Sequence, residues 1–370
     1  MKSKIPLALP DLNGNELKYL QKCIKSSWIS SSGEFINRFE EGFAKYCERK
    51  YGVSTSNGTS ALHLALLALG IKKGDEVIIP NLTFIATANA VRHCGAKPVL
   101  VDVTKDYWGI DPTEIEKKIN SKTKAIIPVH LYGHPCAMDP IMEIARKYSL
   151  FVIEDVAEAH GAEYKGKKVG SFGDISCFSF YGNKVITTGE GGICLTDNKE
   201  LTEKIKVLRG HGMERDRQYW HHLMGFNYRM TNMQAAVGCA QLEKLKDIVE
   251  RKRKIAKTYN NLLKDLEIQG KIVLPVEMPG AKNVYWMYSI LIDNKSRINR
   301  DKLIEILNEN NIESRPFFYP LHIMPLDKQG GVSDFPISSY LSKKGINLPS
   351  FPGISENQIK RVVNLIKKSL

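Results

Sequence analysis

Between residues 51 and 200 the chain alternates short apolar strands with amphipathic helices, and this alternation constrains the fold more than any other feature. Apolar runs stand at Tyr51–Ser56, Glu76–Pro80, Pro98–Val103, Ala125–His130 and Phe151–Val156. Helix patterns separate them at Ser60–Leu69, where Leu62, Ala65, Leu66 and Leu69 share a face, at Thr113–Ile119 and at Pro140–Tyr148. Strands joined through helices pair in parallel, and a parallel sheet needs helices on its faces. The expected class is therefore α/β with a mostly parallel sheet. Two further β runs, Ile175–Phe180 and Gly192–Thr196, enclose a loop rather than a helix.

Beyond Met230 the pattern changes. Asn232–Lys257 reads as one long helix, the 265–280 region as loop-rich, Val284–Asp293 as a strand, and Arg300–Asn310 and Glu356–Ser369 as helices. A chain of 370 residues suits one large and one small domain. The expected division is a large α/β domain over 1–244 and a small α+β domain over 245–370, with segment 1–25 packing on the small domain. No Gly/Ser linker separates them, so the two should pack closely.

The formal charge of +13 invites a nucleic-acid reading. Its lysines, however, are spread along the chain, and the local concentrations at Lys244–Lys257 and the last ten residues coincide with helical apolar spacing. Solvated helix faces account for them, and no nucleic-acid motif accompanies them. A positive field also suits small anionic substrates such as nucleotide sugars and dicarboxylates. The seven cysteines, at 23, 47, 94, 136, 177, 194 and 239, have no paired spacing, which suggests free thiols in a reducing compartment. The histidines lack ligand spacing, so no metal is expected. No apolar run approaches the roughly 20 residues of a membrane span, and the N-terminal residues lack a signal-like stretch; a cytoplasmic location is expected.

Chemistry concentrates in three segments. Lys184 sits in Cys177-Phe-Ser-Phe-Tyr-Gly-Asn-Lys-Val-Ile-Thr-Thr-Gly-Glu-Gly-Gly192, among small and hydroxylated residues. Asp155 closes the apolar run Phe151-Val-Ile-Glu, at the carboxyl end of a parallel strand, where open α/β sheets place ligands. An amine able to form an imine and an acid able to keep a pyridine nitrogen protonated together point to a pyridoxal phosphate site. Asn57-Gly58-Thr59-Ser60 joins a strand to a helix start, where exposed amides, hydroxyls and the helix dipole favour a phosphate. Thr83-Phe84 follows the next strand, and its ring could stack on a cofactor.

As a set, these residues resemble a known family. Asn-Gly-Thr-Ser-Ala-Leu at 57–62, Thr-Phe-Ile-Ala-Thr-Ala-Asn-Ala at 83–90, Glu-Asp-Val-Ala-Glu-Ala-His-Gly at 154–161 and Gly-Asp-Ile-Ser-Cys-Phe-Ser-Phe at 173–180 carry the likeness. So do Asn183-Lys-Val-Ile-Thr-Thr-Gly-Glu-Gly-Gly192, Gly225–Asn232, Arg315–His322 and Gly345–Ser350. Nearly end to end, the chain is similar to the DegT/DnrJ/EryC1/StrS nucleotide-sugar aminotransferases, which implies the fold type I, aspartate aminotransferase-like architecture. The resemblance implies Lys184 as imine-forming lysine and proton shuttle, and Asp155 as partner of the ring nitrogen. It places Glu158 opposite the ring hydroxyl, where many members carry Gln, and Gly58, Thr59 and Ser179 on the phosphate. Phe84 takes the stacking position, and Asn227 reaches the cofactor of a neighbouring subunit, implying a homodimer.

The resemblance also narrows the reaction. Members with Glu at position 158 act on GDP-linked sugars, and the dehydratases among them replace the lysine by His; Lys184 favours a complete transamination. The implied substrate is GDP-4-keto-6-deoxy-D-mannose, aminated at C4 with L-glutamate as donor. The alternative is dTDP-4-keto-6-deoxyglucose or another keto-sugar nucleotide, and a different class would be a non-catalytic binding protein on this fold. Arg215, Tyr219, Trp220, Tyr319 and His322 are the candidate sugar-nucleotide contacts, with packing roles the competing reading.

Overall fold

A computed structural model describes residues 3–214, 216–326 and 329–370. Two helices, α1 (Glu16–Ser26) and α2 (Glu34–Tyr46), precede the alternating region. There follow β1 (Tyr51–Thr55), α3 (Gly58–Ala68), β2 (Glu76–Pro80), α4 (Ala86–His93), β3 (Lys97–Val101), the single-turn α5 (Pro112–Ile115) and β4 (Thr123–Ile126). The region closes with α6 (Met138–Tyr148), β5 (Phe151–Asp155), the short pair β6 (Glu163–Tyr164) and β7 (Lys167–Lys168), then β8 (Ile175–Ser179), β9 (Gly192–Thr196) and α7 (Lys199–Arg209).

Seven of these strands form one sheet in the order β1-β9-β8-β5-β4-β2-β3. Every pairing from β3 to β8 is parallel, whereas β9 runs antiparallel to both β8 and β1. The carboxyl ends of β1, β2, β5 and β8 therefore share one edge of the sheet with the amino end of β9. Side chains alternate between the two faces with the period of two that strands impose. Val77, Ile79, Ala125, Ile153 and Ile175 enter one apolar cluster, while Ile78, Ile126, Val152 and Phe178 enter another. Strand β4 ends at Ile126, earlier than the apolar run to His130 suggests. Pro128 has no N–H for the ladder, yet its carbonyl accepts from the Asp155 N–H at 2.9 Å and Val129 bridges Asp155 in parallel, so contact with β5 continues to His130 before the turn over Leu131–Gly133.

Helix α8 (Asn232–Ile268) is capped by Thr231, whose side chain accepts from the Gln234 N–H while Gln234 bonds back. It crosses position 244/245 without a break. It also extends past Lys257, and loop begins only after Ile268, because Tyr259, Leu263 and Leu266 keep an apolar stripe buried against the second sheet. That sheet has the order β10 (Ile272–Val273), β12 (Tyr288–Ile292), β14 (Gly345–Leu348), β13 (Arg315–Pro316), all antiparallel, and β11 (Ala281–Lys282) pairs with β6. Helices α9 (Arg300–Glu309), α10 (Pro336–Lys344) and α11 (Glu356–Ser369) complete this half. Ile5 belongs to the same apolar cluster and bridges to Ile312, while α1 packs on α8. Among the described residues no helix is long and apolar enough to cross a membrane.

Candidate active site

The shared sheet edge explains why residues far apart in sequence meet. At the end of β1 the chain turns into α3, and Asn57 caps it, its Oδ1 accepting from the Ser60 N–H at 2.9 Å. Gly58 allows this turn to lie against the end of β8: a Cβ there would stand 2.7 Å from the Cβ of Ser179. The first amides of α3 thus face the same space as the hydroxyls of Thr59, Ser60 and Ser179. Amide donors, hydroxyls and the positive end of a helix dipole form a cradle for a phosphate.

Asp155 ends β5 and is buried. Its Oδ2 accepts from Thr87 Oγ1 at 2.8 Å and its Oδ1 from the Ala157 N–H at 3.2 Å. Burial raises its carboxyl above the ordinary aspartate range, against the pull of those two donors and of the Lys184 charge. A cationic N–H brought to this carboxylate would restore the ionised form. Phe84 follows β2 with its ring 55% exposed, facing Phe318 at 5.6 Å between centroids.

Lys184 hangs from the loop between β8 and β9, its N–H bonded to the Tyr181 carbonyl at 2.9 Å. Its Nζ lies 3.6 Å from Glu158 Oε1 and 3.9 Å from the centre of the Trp286 ring. The other oxygen of Glu158 accepts from the Tyr132 N–H at 2.8 Å. Burial pushes the Glu158 carboxyl up to about 7, the Lys184 charge opposing it. Burial likewise draws the Lys184 amine below its usual range, against Glu158 and Asp155. Both members of the pair are shifted toward their neutral forms, as a proton-sharing pair requires.

A cleft of about 720 Å³ is lined by Gly58, Thr59, Ser60, Phe84, Asp155, Glu158, Ser179 and Lys184. The remaining cofactor candidate, Asn227, is exposed outside it, with Oδ1 accepting from Arg229 Nε at 3.0 Å. Tyr219 and Trp220 are exposed outside the lining, as is Tyr319. His322 is buried, paired through Nδ1 with Asn81 at 2.9 Å and stacked on Phe335, so the structure gives it a packing role instead of bringing it to the cleft. Arg215 lies outside the described residues.

The cleft also takes Thr87, Arg315, Phe318 and Trp286, none of which was a candidate. Thr87 stands three residues after Phe84 on α4, and Arg315 and Phe318 lie in the 315–322 segment; their spacing was available as a signal. Trp286 offers no local signal, because only the folding of the second sheet against the first brings it here.

Pyridoxal phosphate asks a site for an anion cradle, an acceptor for a ring N–H and a free amine in one cavity. The α3 turn with Ser179, Asp155 and Lys184 meet these demands, so the residues fit the group. The DegT/DnrJ/EryC1/StrS aminotransferase family model matches residues 10–367. The GDP-perosamine synthase of Caulobacter vibrioides is 46% identical over 367 residues, 99% of this chain and 98% of its own length. That of Escherichia coli O157:H7 is 49% identical over 355 residues, covering 96% and 95%. Among solved structures, S. venezuelae DesV superposes with a TM-score of 0.92 at 33% identity, covering 99% of this chain and 98% of its own. Spr1654 of Streptococcus pneumoniae, in its PMP form, gives 0.93 at 26% identity, covering 99% and 98%. The chain belongs to the DegT/DnrJ/EryC1/StrS aminotransferase family and is a pyridoxal-phosphate-dependent enzyme.

Proposed function

We propose that this chain moves the amino group of L-glutamate to C4 of GDP-4-keto-6-deoxy-D-mannose, giving GDP-perosamine, and works as a homodimer. The observation that carries the chemistry is the buried Lys184–Glu158 pair at 3.6 Å, on the same sheet edge as Asp155 and the α3 turn. The choice of sugar rests on the near full-length relatives from Caulobacter and E. coli that bear that activity in their names.

Bound pyridoxal phosphate supplies the electron sink and carries the amino group between donor and sugar. The amides of Gly58 and Thr59 with Ser60 and Ser179 would hold its phosphate, Asp155 would accept from its ring nitrogen, and Phe84 would offer an aromatic face. Glu158 would face its ring hydroxyl. Lys184 works as the base: its neutral Nζ takes the proton from the α carbon of the donor and delivers one to C4 of the sugar. Burial draws the Lys184 amine below its usual range, which favours the neutral form that a base needs. Glu158 takes up and returns the proton that Lys184 carries. Arg315, exposed at the cleft, offers a cation to an anionic substrate group.

Support for the dimer comes from residues 219–224. Tyr219, Trp220, Leu223 and Met224 are all exposed, shortly before Asn227 in the chain, and a second copy would cover such apolar side chains. Incubation with pyridoxal phosphate, L-glutamate and a panel of GDP- and dTDP-linked 4-keto-6-deoxy sugars tests the assignment. Mass spectrometry of the nucleotide sugars should show an amino product from the GDP-mannose derivative. Turnover of the dTDP sugar alone sinks the substrate assignment. Failure of borohydride to fix cofactor on Lys184 sinks the assignment of the lysine.

A further inference from the structure

Trp286 lies 6% exposed just before β12, in the half of the molecule that follows α8. Its Nε1–H donates to the Asn183 carbonyl at 2.7 Å, so the indole is tied to the residue next to Lys184. The Lys184 ammonium sits 3.9 Å from the ring centre, well inside the roughly 6 Å over which an indole face attracts a cation. The amine also meets Glu158, 3.6 Å away. Nothing in the sugar chemistry above calls on this residue.

One turn sets both neighbours of the amine. Tyr132 holds a left-handed conformation (φ 52°), and its N–H donates to Glu158 Oε2 at 2.8 Å. Gly133 follows at φ 102°, and a Cβ there would stand 2.7 Å from the Trp286 backbone nitrogen. The missing side chain lets residues 284–286 press onto the turn, where the Val284 N–H donates to the Gly133 carbonyl at 3.1 Å. The Tyr132 and Trp286 rings stack at 6.2 Å with planes 20° apart. The carboxylate and the indole are thereby registered to each other through a single backbone bend.

We propose that Trp286 is a positioning residue for Lys184: its indole face holds the amine beside Glu158 whenever the amine is not covalently engaged. The proposal rests on the reading of Lys184 as the reactive amine. A cation released into a cleft this wide would otherwise sample many rotamers, and each proton transfer would begin with a search. The Nε1–H bond to Asn183 fixes the ring so that its face, rather than its edge, meets Nζ.

The test uses the cofactor-free protein with Trp286→Leu and Trp286→Phe. Trace isotopic acetic anhydride labels neutral amines, and the peptide carrying Lys184 is quantified by mass spectrometry across pH. Losing the indole destabilises the ammonium, so Trp286→Leu should label about threefold to tenfold faster than wild type on the rising part of the curve, the range a cation over an indole commands. Trp286→Phe, which keeps a face, should fall between the two. Loosened packing moves the reading the other way, because water entering the site favours the charged amine and slows labelling. Unchanged or slower labelling in Trp286→Leu, or a Phe variant no different from Leu, overturns the proposal. Borohydride trapping on Lys184 in the wild type judges the underlying reading separately.

Discussion

Replacing Glu158 by Gln isolates the charge that holds the proton on Lys184. Gln keeps the length of the side chain and an oxygen for the Tyr132 N–H, so the geometry survives while the anion goes. Unit charges 3.6 Å apart interact by about 4.6 kcal/mol at an effective dielectric near 20, and by about half that where water enters the cleft. At about 1.36 kcal/mol per unit, the Lys184 amine should fall by about 2 to 3 pKa units in Glu158→Gln. The sign follows from the charge removed. In the wild type the Glu158 carboxyl ionises as pH rises through about 7, and its negative charge opposes loss of the lysine proton. Glu158→Gln lacks that transition, so its Lys184 curve is displaced to lower pH and follows a single ionisation. The same acetylation of cofactor-free protein measures it. A Lys184 curve that stays in place, or moves to higher pH, refutes the proton-sharing pair.

Asp155→Asn should lower the amination rate by about 100-fold or more, since an amide cannot hold the ring nitrogen protonated. Thr87→Val, which removes the 2.8 Å donor to that carboxylate, should cost about tenfold; a wild-type rate for either contradicts the role given to Asp155. Gly58→Ala places a methyl 2.7 Å from Ser179 Cβ, and the resulting shift of the α3 turn should weaken pyridoxal phosphate binding about tenfold in a fluorescence titration. Unaltered affinity would remove the close approach from the cradle. Lys252 is buried, its ammonium bonded to the Ser350 carbonyl at 2.7 Å, and burial draws it down to about 7. Its folded form sheds the proton before the unfolded chain does, so stability relative to Lys252→Met should rise between pH 7 and 9.5, on the order of 3 kcal/mol in urea midpoints. A difference that stays flat with pH places Lys252 in water.

The sequence made the sheet legible because its signal is periodic and local. Glu76–Pro80 appears where its apolar run lies, and Glu356–Ser369 as a helix between the same residues, since each element advertises its own period. Boundaries failed where the deciding partner was distant. The α8 helix outruns its expected end because Tyr259 and Leu263 bury against strands formed later in the chain. The cleft follows the same rule. Lys184, Asp155, Glu158 and the α3 turn lie within motifs at strand ends, so a parallel sheet brings them together once its order is known. Arg315 stood in a quoted motif but required the second sheet to reach the cleft, and Trp286 required it entirely. His322 shows the converse: a polar side chain in a suggestive segment is used to bind Asn81 in the interior.

The reversed strand β9 is what makes a lysine on this loop useful. Had β9 run parallel to β8, the connection would have crossed the sheet through a helix and returned to the opposite edge. Pairing Ser179 with Gly192 in antiparallel fashion instead keeps residues 180–191 at the carboxyl edge. The loop is then fastened there by the Thr188 N–H on the Phe180 carbonyl at 2.9 Å and by Thr187 Oγ1 on the same oxygen. Lys184 consequently projects from a braced bend toward Asp155 and Glu158, while the neighbours that tune it arrive from the 131–133 turn and from Trp286. The amine's position is thus set by the first sheet, and its surroundings are completed only when the second half of the chain docks. A truncated chain lacking that half would carry the lysine at the right edge without the indole that holds it.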